Sequence, residues 1–299
     1  MSAPAYYIVT GGTSGIGLEA AKALASAKPN DKVIITGRSK PQVQLPPNIE
    51  LRTFDLGSVA EINAFVDGWE HPVSALLLNA GLVTGGKTTY IDGVERAFAV
   101  NHLGGAALFF ALYKKGLLTE DARIILTSSG MHDSEMVGNP AKPHWESAAA
   151  VAAAKGPEAD PTVQYSNTKL ANVLWAHALS RHAEEKGKRW TIAAYDPAFV
   201  PGGGSKLTRE GGVVKAFMFG VMSYIPSLVT LMTGIVTSTG PRSGKALADL
   251  AIGDAHKNEK MAYYQLENKV ESSKQSHDIA LQDDLWDWTN QKLGVKTSL

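Results

Sequence analysis

A short β-rich run, Tyr6-Tyr7-Ile8-Val9-Thr10, passes directly into Gly11-Gly12-Thr13-Ser14-Gly15-Ile16-Gly17 and then into Leu18-Glu19-Ala20-Ala21-Lys22-Ala23-Leu24-Ala25, a string of strong helix formers. Strand, glycine turn, helix is a narrow specification. Such a turn lets the backbone approach a pyrophosphate and presents the first N–H groups and the positive dipole end of the helix to it. Gly11, Thr13, Ser14, Gly15, Ile16 and Gly17 are therefore candidate nucleotide contacts, although their spacing differs from the Gly-x-Gly-x-x-Gly of the common dinucleotide fingerprint. A turn with no ligand is the alternative.

Strand and helix segments alternate after that. Strands are predicted at Lys32 to Thr36, Ile49 to Asp55, Ser74 to Asn79, Arg123 to Ser128, Trp190 to Tyr195 and Met261 to Gln265. Helices are expected at Ser58 to Trp69, whose Ser58 and Glu61 form a capping-box pattern, and at Gly93 to Leu118, interrupted at Asn101-His102-Leu103-Gly104-Gly105. This alternation predicts an α/β fold, a doubly wound parallel sheet (Rossmann fold) with helices on both faces. No linker divides the chain, so residues 1–299 are expected to form a single domain, with an insertion at 130–164 and a substrate-lid region at 201–240. The apolar stretch 213–236 is about long enough to cross a bilayer, but Lys215, Gly220 and Pro226 interrupt it. It is expected to form buried or lid helices rather than a transmembrane span; peripheral membrane contact stays open.

Basic and acidic residues number 29 each, so the whole surface carries no excess charge to attract nucleic acid. With no cysteine there is no thiolate chemistry, and the scattered histidines make no pair at metal spacing, so no metal is expected. The first residues do not read as a secretory signal, and a cytoplasmic location is the expectation.

The chemistry is suggested by Tyr165-Ser166-Asn167-Thr168-Lys169, read as opening a helix. Residues four apart share a helix face, and a fixed ammonium beside a phenol would lower its pKa and make an acid/base of it. Ligands of doubly wound sheets lie beyond the carboxyl ends of the strands. Those ends carry the 11–17 loop, Gly37-Arg38, Asp55-Leu56, Asn79-Ala80-Gly81, Ser128-Ser129 and Asp196-Pro197-Ala198-Phe199-Val200.

With Thr10-Gly11-x-x-x-Gly15-x-Gly17, Asn79-Ala80-Gly81, Asn101, Ser129 and Tyr165-x-x-x-Lys169 in one order, the chain resembles the short-chain dehydrogenase/reductase family. The runs Val100 to Gly104, Arg123 to Ser129, Tyr165 to Asn172 and Leu285-Trp286 are most similar to its branch of retinol dehydrogenases and light-dependent protochlorophyllide reductases, though the cysteine implicated in the latter activity is missing. The resemblance implies Tyr165 as proton donor and acceptor, Lys169 as holder of the nicotinamide ribose, Ser129 as hydrogen-bond donor to the substrate carbonyl, and Asn101 as the binder of a water linking Lys169 to solvent. It also implies Asp55 and Leu56 at the adenine, Asn79 with the Ala80-Gly81 turn at the adenosine ribose, and Pro197 and the Val200 backbone at the carboxamide. Ala198 stands where the family usually has glycine, and Pro201-Gly202-Gly203-Gly204-Ser205 where a threonine often touches the cofactor.

Thr36-Gly37-Arg38-Ser39-Lys40 places cations, not an acid, after the second strand, which favours the 2′-phosphate of NADP(H). The expected activity is hydride transfer between NADP(H) and a small apolar ketone, aldehyde or secondary alcohol. Reduction of a C=C bond and a non-catalytic NADP-binding sensor or scaffold are the alternatives. His132 reads as an ordinary loop histidine or a neighbour of the substrate. A monomer or low-order homo-oligomer is expected, the monomer if the insertion folds over the helices through which the family commonly associates.

Overall fold

Of the 299 residues, the computed structural model describes 3–85, 88–136, 138–139, 141–201, 230, 235–257 and 259–295. Seven parallel strands form the sheet: β1 (Tyr6–Thr10), β2 (Lys32–Gly37), β3 (Ile49–Thr53), β4 (Val73–Leu78), β7 (Leu118–Thr127), β8 (Thr191–Asp196) and β9 (Ala262–Gln265). An antiparallel edge strand, β10 (Asn268–Val270), completes the order β10-β9-β8-β7-β4-β1-β2-β3. The order reverses between β1 and β4, so the crevice at the carboxyl ends of these two strands is the ligand position of such a sheet. A separate hairpin is made by β5 (Tyr90–Ile91) and β6 (Val94–Glu95).

Strand side chains alternate between two apolar layers. On one face Tyr7, Val9, Val33, Ile35, Leu77 and Ile125 pack on α1 (Gly15–Ala27) and a later helix, α7 (Gly240–Ile252). On the other, Ile8, Ile34, Leu76, Leu78, Ile124 and Leu126 pack on α2 (Val59–Asp67), α4 (Gly104–Lys114) and α6 (Pro161–Glu185). Registers such as Ile8 beside Ile34 and Leu76 put like residues on like faces, and each fully buried aliphatic side chain contributes roughly 1.5–3 kcal/mol. The first two layers match the doubly wound expectation.

Several boundaries differ. The stretch expected to be helical from Gly93 begins as a hairpin, because Asp92 and Gly93 adopt positive φ and turn the chain. A three-residue α3 (Arg96–Phe98) follows, capped by the Glu95 carboxylate, and the helix then widens into a π turn, Ala99–Leu103, rather than breaking. Ser58 does cap α2 through the Glu61 N–H, but Glu61 sends its own carboxylate to the Asp55 N–H, not to Ser58. β7 starts five residues earlier than expected, at Leu118. Residues 213–236 lie outside the described residues except for 230, 235 and 236. Among the described residues no helix is long and apolar enough to cross a membrane.

The insertion contributes α5 (Ala148–Ala153), fastened to the C-terminal helix α8 (Ile279–Leu293) by the Ala148 N–H on Asp284. α8 packs on α6 and reaches α4 through an aromatic contact, and the insertion packs on α6 as well. Trp286 stacks on Trp175 at 5.8 Å and on His182 at 4.4 Å, and meets Phe110 edge-on at 5.6 Å.

Candidate active site

Helix α6 starts one turn earlier than the sequence pattern suggested. Asp160 caps it by accepting from the N–H groups of Thr162 and Val163, and Pro161 occupies the first position. Tyr165 and Lys169 therefore stand inside a formed helix on one face, the ammonium 5.4 Å from the centre of the phenol ring. Lys169 Nζ donates to the Thr127 carbonyl at 3.0 Å, at the very end of β7. That strand end and α6 together fix the lysine.

Burial pushes the Tyr165 phenol up to about 12, the Asp196 carboxylate adds to the rise, and the Ser129 hydroxyl pulls it back. Burial pushes the Lys169 ammonium down to about 8, opposed by Asp196. The expected depression of the tyrosine by the lysine is thus corrected: lost hydration and Asp196 outweigh the Ser129 hydroxyl, and the phenol keeps its proton at neutral pH. Asp196, 2% exposed at the end of β8, is a member of this site whose position the sequence reading named among the strand ends but to which it gave no role. It accepts from the Ala198 N–H and the Gln265 side chain. A carboxylate ending the otherwise uncharged Thr191-Ile192-Ala193-Ala194-Tyr195 was the signal.

The two serines after β7 part company. Ser128, 1% exposed, gives its hydroxyl to the Lys169 carbonyl at 2.9 Å. Ser129 faces Tyr165, and its oxygen accepts from the Met131 N–H, which leaves its proton to point elsewhere. His132 is a buried strut: Nδ1 lies 2.8 Å from the Ser129 carbonyl, and Nε2 accepts from the Ser273 N–H. Its imidazole is pushed towards the neutral form by burial.

Asn101 lies on the π turn. Its oxygen accepts from the Leu82 N–H, while its amino group reaches the Leu82 carbonyl and Thr168 Oγ1. Thr168 in turn donates to the Tyr165 carbonyl. Both amide hydrogens are spent, so the side chain braces the 82 loop against α6, and the second lone pair of its oxygen is what it has left to offer a water.

The nucleotide loop is built around Thr10. Its hydroxyl accepts from the N–H groups of Asn79 and Ala80 and donates to the Leu77 carbonyl. Asn79 returns its amino group to the Thr10 carbonyl. This lock explains the glycines: a Cβ on Gly17 would lie 2.5 Å from Asn79 Nδ2, and Gly11 has φ +66°. Ser14 precedes α1 without a side-chain cap and no acid occupies the first turn, so the helix terminus suits an anion. A Cβ on Gly37 would come within 2.8 Å of Thr13, which brings the glycine loop beside Arg38. Arg38 and Lys40 are exposed and form no ion pair among the described residues. Asp55 caps its own turn through the Gly57 N–H, with Leu56 buried behind it, and Gly81 lies over Lys169, where an added Cβ would stand 3.4 Å from Nζ.

Past β8, Pro197 is buried, and Phe199 bridges to Thr237, which places Val200 in the connection leading out of the site. Ala198 has φ +61°, the left-handed region that glycine enters freely. No group of three or more histidine, aspartate or glutamate side chains among the described residues could hold a metal ion.

A glycine loop at an uncapped helix terminus, a strand-order reversal and buried polar groups at the strand ends define a nucleotide-binding protein of the doubly wound class. A profile of the short chain dehydrogenases matches residues 5–141. The short-chain dehydrogenase TIC 32 B of Brassica napus is 30% identical over 249 residues, 73% of this chain and 71% of that one. Human retinol dehydrogenase 12 is 26% identical over 261 residues, 81% and 77% of the two chains. In fold alone, a crystal structure of an uncharacterized protein from Mycobacterium Paratuberculosis superposes with a TM-score of 0.68 at 21% identity, over 100% of this chain and 98% of that one. The chain belongs to the short-chain dehydrogenase family of oxidoreductases, on the retinol dehydrogenase-like side.

Proposed function

We propose that the protein is an NADP(H)-dependent carbonyl reductase or alcohol dehydrogenase acting on apolar ketones, aldehydes or secondary alcohols. The observation that carries this reading is the placement of the Tyr165 phenol on one helix face with the buried Lys169 ammonium, 5.4 Å from the ring centre, and beside the Ser129 hydroxyl. In the reductive direction Tyr165 gives its proton to the substrate oxygen. Ser129 donates a hydrogen bond to that oxygen as negative charge grows on it. Lys169, held by Thr127, would hold the nicotinamide ribose.

The residues present fit the dinucleotide. The uncapped terminus of α1 and the 11–17 loop would hold the pyrophosphate, and Arg38 with Lys40 the 2′-phosphate. Asp55 and Leu56 would flank the adenine, with Asn79, Ala80 and Gly81 along the adenosine ribose and Pro197 and Val200 at the carboxamide. When bound, the cofactor supplies the hydride. The name of the retinol dehydrogenase relative supports an apolar substrate. The cover of α8 over α4 and α6 supports a monomer, since the aromatic faces that could meet a second subunit are occupied from within.

The test is oxidation of NADPH and of NADH, followed by absorbance, across a panel of apolar ketones and aldehydes. Alcohol formation with NADPH preferred is expected. Saturation of a C=C bond, or equal use of both cofactors, would overturn the corresponding part.

A further inference from the structure

Ser129 stands beyond the sheet. β7 ends at Thr127, and the tie to β8 at this strand end is the Ser128 N–H, which donates to the Tyr195 carbonyl at 2.6 Å. Ser129 itself opens a single 3-10 turn, Gly130–His132, closed by the His132 N–H on the Ser129 carbonyl at 3.0 Å. Such turns have poorer hydrogen-bond geometry than an α-helix, and this one carries the hydroxyl assigned to the substrate oxygen.

The His132 side chain supplies a second bond. It is 2% exposed, with Nδ1 2.8 Å from the same Ser129 carbonyl and Nε2 3.0 Å from the Ser273 backbone nitrogen. A backbone N–H can only donate, so Nε2 accepts and carries no proton. The single hydrogen of the neutral imidazole is then on Nδ1, aimed at the Ser129 carbonyl, with Tyr263 Oη at 3.3 Å as the more distant neighbour. Burial favours the neutral form, and the Ser273 N–H selects which of its two tautomers is present. A carbonyl oxygen has two lone pairs, so both donors fit on it, and together they fix the plane of the peptide that follows Ser129.

Fastening the segment around Ser273 does not need an imidazole. Lys274 pairs with Glu135 at 3.0 Å, and Gln282 donates to the Ser276 carbonyl at 2.9 Å. The Tyr263 ring packs on His132 at 4.7 Å, where an apolar side chain would avoid the cost of burying polar atoms.

We propose that His132 is a positioning residue for Ser129, held as the Nδ1–H tautomer by the Ser273 N–H so that the turn aiming the serine hydroxyl is bonded by side chain as well as backbone. The role given to Ser129 rests on the carbonyl-reducing reading above, whereas the tautomer and the geometry of the turn do not. Asparagine carries an amide nitrogen where His132 has Nδ1, and glutamine an amide oxygen near the place of Nε2 with no donor at Nδ1. His132→Gln should lower kcat about tenfold, the order of one hydrogen bond, with the KM for NADPH unchanged. His132→Asn should recover most of that loss yet melt at a lower temperature than the glutamine variant, because it leaves the Ser273 N–H buried and unpaired. A histidine that only stabilises the fold would give losses of activity that follow the losses of stability; here the two variants should stand in opposite order on the two scales. Two readouts need no turnover. Long-range nitrogen-15 NMR of the unaltered protein should show the proton on Nδ1. Hydrogen exchange at the Met131 amide, which donates to Ser129 Oγ, should quicken in the glutamine variant and stay slow in the asparagine variant. A proton on Nε2, or activity and Met131 exchange that follow stability in both variants, overturns the inference, and the tautomer alone decides if neither variant folds. An unaltered protein without turnover, in which the tautomer and the Met131 exchange are as stated, supports the inference and overturns only the carbonyl-reducing function.

Discussion

The two halves of the site are built from different materials. The nucleotide half, from β1 to the Asn79-Ala80-Gly81 turn, is made of backbone: glycines that allow close approach, a helix terminus without a cap, and exposed cations at Arg38 and Lys40. The catalytic half, at the ends of β7 and β8 and along α6, is made of buried polar side chains that bond one another, Ser128 to Lys169, Lys169 and Asn172 to Thr127, Asn101 to Thr168. Backbone and exposed charge change little in character on folding. Buried ionisable groups change a great deal, because lost hydration moves their pKa values by units. The first half can therefore be altered piecemeal, whereas the second responds as a unit.

Substitutions in the catalytic half should show the largest effects. Tyr165→Phe is expected to lower turnover by on the order of 10³ or more with NADPH affinity within a few-fold, and Ser129→Ala by about 10². Ser128→Ala should instead cost about 1 kcal/mol of stability and retain turnover, since its hydroxyl serves the Lys169 carbonyl. Inactive Ser128→Ala with active Ser129→Ala in steady-state assays would reverse the assignment of the two serines.

In the nucleotide half, Arg38→Asp is expected to weaken NADPH about 10- to 100-fold and leave NADH within a few-fold, as for loss of one charge-assisted contact. Fluorescence titration of both cofactors decides it, and an equal loss for both would remove Arg38 from phosphate recognition.

A milder probe of the contrast is pH. Lys169 is cationic below about 8 and loses its proton as the pH rises through that value, while Tyr165 stays protonated to about 12. Reduction should be level below about 8 and fall above it, with the fall belonging to the lysine. A level rate up to pH 10 in a buffer series would show that the ammonium is dispensable.

The smallest effect lies where the halves meet. Ala198 adopts the left-handed backbone that the family usually gives to glycine, at a cost of roughly 1–2 kcal/mol. Ala198→Gly should therefore raise stability by about 1 kcal/mol in urea unfolding, the gain reduced by the greater freedom of glycine in the unfolded chain. A loss of stability would mean that the Ala198 methyl packs to more effect than its φ costs.

Legibility in the sequence follows the same division. The glycine loop, the alternation of strands and helices along the chain and the Tyr165–Lys169 spacing depend on local patterns and could be read directly. The hairpin at 90–95 and the edge strand β10 could not, since each is only two or three residues per strand and carries no periodicity. The start of α6 was written in Asp160-Pro161, but proline in an irregular stretch reads as a loop until its place in the first turn is known. The upward shift of the phenol was not legible at all. It depends on burial and on Asp196, a residue from another strand, and spacing within one helix reports neither.

The position of α8 carries a consequence for how the molecule comes into being. Phe110, Trp175 and His182 are all synthesised long before the Trp286 that covers them. A chain emerging from the ribosome can assemble its parallel sheet while this aromatic face stays open to other chains, and contacts so distant in sequence close late. Stopping synthesis before Ile279 would leave the face open for good, so the making of α8 also ends the interval in which this face of the nascent chain is most exposed to aggregation.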